Sequence, residues 1–142
     1  MTTGQTSNRE LVRKAFETWA ATGSGVLDML ADDVWWTIAG SAPSAQTFNG
    51  RQAFLTGAFD PIAESFAGPI KPTIRELVAD GNAVVVRWDG VAPMKDGQTY
   101  RNSYAWFFTM RDGKVFEATA FLDLPTYDAA LAGAPLPRWP SA

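Results

Sequence analysis

The residues best placed to do chemistry are an arginine and an aspartate two positions apart, Arg87 and Asp89, in a run of strand-forming residues. Alternation puts side chains at i and i+2 on one face of a strand, so guanidinium and carboxylate would be neighbours. Facing an apolar hollow, Asp89 could serve as a general base oriented by Arg87, burial raising its pKa and the guanidinium lowering it. Facing water, the same two residues form an ordinary surface ion pair worth about 0–1 kcal/mol. Both readings stay open at this level. Tyr104 and Asn102 are the polar handles that could orient a bound molecule. Asp123 is a second candidate base, although an aspartate just before Leu124-Pro125 also suits a cap or turn.

What is missing narrows the chemistry. The chain contains no His and no Cys, which removes Ser-His-Asp triads, thiolate nucleophiles, disulfides and His-ligated metals. Acid–base work would fall to Asp, Glu, Tyr, Lys or Arg, and neither metal nor cofactor is expected.

These residues need elements to position them. Ser7 or Asn8 can cap a helix over residues 9–22, where Leu11, Val12, Ala15, Phe16 and Trp19 recur at helical spacing. A short second helix is predicted over residues 26–30, a turn at Ala31-Asp32-Asp33, a strand over 34–38 and a loop over 41–49. Residues 51–66 predict a helix broken near Pro61. Four strands follow, over 70–79, 83–94, 98–111 and 114–124, with an Asp-Gly pair in each connector. A short helix over 126–131 and an extended, Pro-containing tail close the chain.

The fold class is therefore α+β, helices first and then an antiparallel meander, in one domain over residues 1–142 whose ends, 1–7 and 133–142, are loosely ordered. A sheet curled over its helices can enclose a cavity. On the third meander strand Asn102, Tyr104, Trp106, Phe108 and Met110 share one face; on the second, Val84, Val86 and Trp88 oppose Val85, Arg87, Asp89 and Val91. One of Trp35 and Trp36 must point inward. Trp36, Trp106 and Phe108, with Phe16, Trp19 and Phe59 from the helices, are the expected pocket wall.

Six Trp and nine Phe in 142 residues demand burial, an interface or a cavity. A net charge of −3 with scattered Lys and Arg argues against a nucleic-acid partner. No apolar run is long enough to span a membrane, the N-terminus is polar, and a cytoplasmic location is expected.

The run VVVRWDGVA, with DGQTYRNSYAWFFTMRDGKVFEATAFLDL after it, resembles the SnoaL-like and ketosteroid-isomerase-related members of the nuclear-transport-factor-2-like superfamily. LADDVWWTIAGSAPSAQTFNGRQAF resembles the same family's first strand, loop and helix start, and the resemblance covers roughly residues 11–131. It implies an α+β cone with a deep apolar pocket, usually a homodimer through the outer sheet face. Members include isomerases, cyclases, dehydratases and epoxide hydrolases as well as proteins with no known reaction.

Residue by residue, the resemblance to limonene-epoxide hydrolases covers Arg87 and Asp89 and favours a cavity-facing pair. Their second aspartate falls on Ala120, however, and their water-holding polar positions fall near Trp36 and Ile38. The ketosteroid isomerase base has no counterpart in Trp36-Thr37-Ile38-Ala39. SnoaL-like cyclases use a pocket aspartate, for which Asp89 is the first candidate and Asp123 the second. The implied function is cofactor-independent isomerisation, cyclisation, dehydration or water addition on a small hydrophobic oxygenated molecule. The alternative is a non-catalytic ligand-binding or dimerisation module on the same cone.

Overall fold

The computed structural model describes residues 7–139, and of the expected loose ends, 1–7 and 133–142, residues 1–6 and 140–142 lie outside them. Helix α1 (Asn8–Thr22) begins where the Ser7 side chain accepts the Glu10 amide and ends at Gly23, whose φ of 80° closes the last turn. Its buried stripe is Val12, Phe16 and Trp19. A single 3-10 turn (Val26–Met29) leads directly into β1 (Leu30–Ile38). The strand thus runs through Asp32 and Asp33, where the sequence predicted a turn. Asp33 is tolerated there because it points to solvent and pairs with Arg111 at 2.9 Å.

Part of the predicted loop is also a strand, β2 (Thr47–Asn49), paired antiparallel to β1. Next come α2 (Arg51–Phe54), one π turn (Leu55–Phe59) and α3 (Asp60–Glu64). The predicted break near Pro61 takes this form: proline brings no N–H, and the helix widens just before it. Gly57 lets the widened turn lie against Phe48, because a Cβ there would meet the ring at 2.4 Å.

The meander follows as β3 (Lys71–Asp80), β4 (Ala83–Pro93), β5 (Thr99–Arg111) and β6 (Lys114–Leu122). Asp112 and Gly113 join β5 to β6 with φ of 52° and 76°, the signs a type I′ hairpin requires. The six strands order as β2-β1-β6-β5-β4-β3, with β1 parallel to β6 and every other pair antiparallel. Helix α4 (Leu124–Ala132) is capped by Asp123. Beyond it, Gln98 holds the chain by accepting the Leu136 amide and donating to the Ala134 carbonyl.

The result is the α+β cone: a curved mixed sheet, open at both edges, with α1 to α4 on its inner side. Alternation decides what the inner face carries. Val84, Val86, Trp88 and Ala92 of β4 and Asn102, Tyr104, Trp106, Phe108 and Met110 of β5 are buried. Burying such side chains yields about 1.5–3 kcal/mol each for the larger apolar ones.

Candidate functional site

Between the inner face and the helices lies a cavity of about 330 Å³. Its wall is aromatic. Trp19 of α1, Trp36 of β1, Trp88 of β4, and Tyr104 and Trp106 of β5 all line it, with Phe54 and Phe59 from the α2 region. Trp88 stacks on Tyr104 with centroids 4.0 Å apart and planes 6° apart. Trp36 stacks on Phe54 at 4.2 Å and meets Trp106 edge-on at 5.0 Å. Such pairs contribute about 0.5–1.5 kcal/mol beyond burial and fix ring positions. The most exposed wall residues, Ala67 and Pro69, both lie between α3 and β3.

Phe16 and Phe108, expected on the wall, stand behind it. Phe16 packs edge-on to Trp19, Trp88 and Trp106 at 5.6–5.8 Å, and Phe108 backs Trp36 and Trp106.

Arg87 and Asp89 require a correction. They lie on the outer face of β4, opposite the cavity, since their alternates Val86 and Trp88 are the buried ones. The physical reason is plain: turning Val84, Val86 and Trp88 inward costs nothing, whereas turning the charges inward costs their desolvation. Nor do the two pair with each other. Arg87 bonds Glu76 at 2.8 Å, while Asp89 accepts from Ser103 at 2.7 Å and from Arg75 at 2.8 Å. The Ser103 hydrogen bond, then Arg75, hold the Asp89 carboxyl below its usual range despite partial burial. It is a carboxylate kept ionised on the outside of the sheet.

Asp123 also lies off the wall. It caps α4, its carboxylate accepting the Thr126 amide and hydroxyl. Asn102, expected as a ligand handle, is buried and clamps the chain where β6 meets α4. Its Oδ1 accepts the Asp123 amide at 2.9 Å, and its Nδ2 donates to the Asp123 carbonyl at 3.0 Å and to Tyr100 Oη at 2.9 Å. Tyr100 Oη in turn lies 2.7 Å from Tyr104 Oη.

The ionisable side chains of the wall are therefore Tyr104 and Tyr127. Burial pushes both phenols well above 10, and Tyr100 behind them to about 12. All three stay neutral over the physiological range, able to hydrogen-bond but not to serve as anionic bases. Tyr127 Oη donates to the Ala58 carbonyl at 2.8 Å, tying α4 to the π turn. Among the described residues no group of three or more His, Cys, Asp or Glu is placed to hold a metal ion.

Sequence reasoning passed over Trp88, Tyr100 and Tyr127. Trp88 could have been found from its partners Val84 and Val86, which mark the even-numbered face as the apolar one. Tyr100 lies two residues before Asn102 on the same inner face of β5. Nothing local marks Tyr127, because only the docking of α4 brings it to the cavity.

Comparison with known proteins places this architecture. The family model of the SnoaL-like domain matches residues 10–118. No curated protein matches the chain. Among solved structures, TerC co-crystallised with polyporic acid is 20% identical, with 88% of this chain and 98% of that one covered and a TM-score of 0.69. An NTF2-like protein from Burkholderia thailandensis is 15% identical over 89% of this chain and 98% of its own, with a TM-score of 0.71. A protein with a ketosteroid isomerase-like fold from Catenulispora acidiphila, in complex with trimethylamine, is 16% identical over 89% and 94%, with a TM-score of 0.64. At these identities the likeness is one of fold.

Proposed function

From the premise that this chain belongs to the SnoaL-like domain family, we propose that it binds a small, neutral, largely apolar molecule in the aromatic cavity. The observation that carries this reading is the wall itself, whose ionisable groups are two phenols held neutral by burial. A charged ligand would be stripped of water with no counter-charge to meet it. A volume of about 330 Å³ falls at the small end of known ligand sites, which run from about 300 to 1,000 Å³. At interior packing density it leaves roughly 250 Å³ for ligand atoms, the bulk of two or three fused rings.

Between the two functions implied by the resemblance, the geometry favours the binding module. Isomerisation, cyclisation, dehydration or water addition with Asp89 as base would need that carboxylate in the cavity, and it faces the other way. TerC and the Catenulispora protein, which share the fold, were solved with small molecules, and this supports ligand binding here.

A second copy of the chain is proposed to cover the outer face of the sheet. Trp35, Phe107 and Phe121 are 51%, 46% and 49% exposed there, the two phenylalanines edge-on at 5.7 Å. An apolar patch of that kind suits an isologous two-fold contact.

The six tryptophans supply the test of ligand binding. Titrating tetralin into ¹⁵N-labelled protein is expected to shift the indole N–H signals of Trp19, Trp36, Trp88 and Trp106 saturably. Trp35 and Trp139, away from the cavity, are expected to stay put. Saturable shifts at Trp35 or Trp139 alone, or none at all, would overturn the reading.

A further inference from the structure

The hydrogen-bond chain behind the cavity has a direction. A buried hydroxyl needs an acceptor for its proton, and an amide side chain can be oriented by what faces it. The backbone of Asp123 presents both an N–H and a C=O to Asn102. The N–H demands the amide oxygen and the C=O demands the amide nitrogen, so Asn102 cannot flip. Its Nδ2 must therefore be the atom facing Tyr100 Oη, and it donates.

Tyr100 is fully buried, at 0% exposure, and its hydroxyl already accepts from Asn102. Among the described residues the only other polar atom within hydrogen-bond reach of it is Tyr104 Oη, at 2.7 Å. If Tyr104 donated to Tyr100, the Tyr100 proton would be left buried with no acceptor. Either direction leaves one hydroxyl proton without an acceptor in the protein, and the arrangement that leaves it at the cavity wall, not behind it, has Tyr100 donating to Tyr104. Tyr104 Oη then accepts, and its own proton has no acceptor in the protein.

Tyr104 lines the cavity. Two other polar groups of the wall are differently placed: Tyr127 Oη spends its proton on the Ala58 carbonyl, and Trp88 Nε1 is enclosed by neighbouring rings without a polar partner, while Trp19, Trp36 and Trp106 bring further N–H donors to the same wall.

We infer that Tyr104 is the specificity-determining residue of the cavity, its hydroxyl proton being directed by Asn102 and Tyr100 to an acceptor oxygen on the ligand. The ligand class is thereby narrowed to neutral ring compounds carrying a carbonyl or ether oxygen, ahead of plain hydrocarbons or molecules whose polar group can only donate. Asn102 and Tyr100 are positioning residues: they touch no ligand, and they set which way the last proton points. This inference rests on the cavity being a ligand site, as proposed above.

A matched pair of probes, 1-tetralone and tetralin, differs by one carbonyl. Wild-type protein is expected to bind the ketone about tenfold more tightly. Tyr104→Phe is expected to remove that preference by weakening tetralone alone, while Tyr100→Phe, which leaves Tyr104 its hydroxyl but takes away the bond that orients it, is expected to reduce the preference without abolishing it. The infrared carbonyl stretch of ¹³C-labelled tetralone reads the same bond without any variant, and is expected to fall on binding to wild type. Equal affinity for both probes with an unshifted carbonyl would overturn the inference and leave the cavity reading intact. Binding of neither probe would overturn the cavity reading and the inference with it.

Discussion

Replacing Ala120 by leucine separates a real cavity from a filled core. Ala120 lies on β6 across from Trp106, is 1% exposed, and forms part of the cavity wall. Leucine adds three carbons. If they enter empty space, burial contributes about 0.8 kcal/mol per carbon. Restricting the side chain costs roughly 0.5–1 kcal/mol. The net expectation is a gain of about 1–2 kcal/mol, which for a chain of this size raises Tm by about 3–7 °C. If the space were already packed, the same change would cost about 1–3 kcal/mol through strain. Ala118 is the control, being equally buried on the same strand face but off the wall. Ala118→Leu is expected to follow the overpacked case. Scanning calorimetry of both variants, with tetralin titrations alongside, decides the matter. Ala120→Leu should be at least as stable as wild type and bind the probe at least tenfold more weakly. A lowered Tm matching that of Ala118→Leu, or undiminished probe affinity, would refute the reasoning.

Asp89→Asn is expected to leave the affinity for 1-tetralone within twofold of wild type, measured calorimetrically. It should lower stability by about 0.5–1.5 kcal/mol through the weakened contacts to Ser103 and Arg75. Because the folded state holds this carboxyl below its ordinary pKa of about 3.9, that deficit is present at neutral pH and closes as pH falls below about 4, which urea titrations at several pH values will read. At the alkaline end the sign reverses. Tyr100 ionises near 10 when unfolded and at about 12 when folded, so stability holds up to pH 10 and then falls by on the order of 2 kcal/mol by pH 12. Tyr100→Phe should remove that share of the alkaline fall in the same titration, leaving the shares of Tyr104 and Tyr127. Phe107→Glu, placed in the exposed apolar patch, is expected to convert a dimer to a monomer in sedimentation equilibrium without unfolding it. An unchanged mass would count against the two-fold contact.

Much of the fold could be read from local chemistry. The turn residues at 80–82, 95–97 and 111–113 separated the meander strands to within about two residues, because hairpins depend on a few neighbouring dihedrals. Ser7 and Gly23 bracketed α1 for the same reason. Asp32-Asp33 misled, since an acidic pair suits a turn as well as the solvent side of a strand. The parallel β1–β6 pairing is a contact between distant segments, and no local pattern specifies it.

For the site, the decisive information lay in the unclaimed half of an alternation. The Arg-x-Asp spacing drew attention to Arg87 and Asp89 and the resemblance favoured a cavity-facing pair, yet Val84, Val86 and Trp88 form the more strongly apolar face, and burial follows that face. Asn102 and Tyr104 stood out as polar residues on an inward face. What could not be read was that Asn102 answers to the Asp123 backbone 21 residues away and reaches the cavity only through Tyr100.

A crystal structure of the protein soaked with 1-tetralone addresses the central claim most directly. The account expects the rings enclosed by Trp19, Trp36, Trp88 and Trp106, the ketone oxygen within hydrogen-bond distance of Tyr104 Oη, and Asp89 on the far side of the sheet. Ligand density on the outer face against Arg87 and Asp89, with the aromatic interior closed, would contradict it.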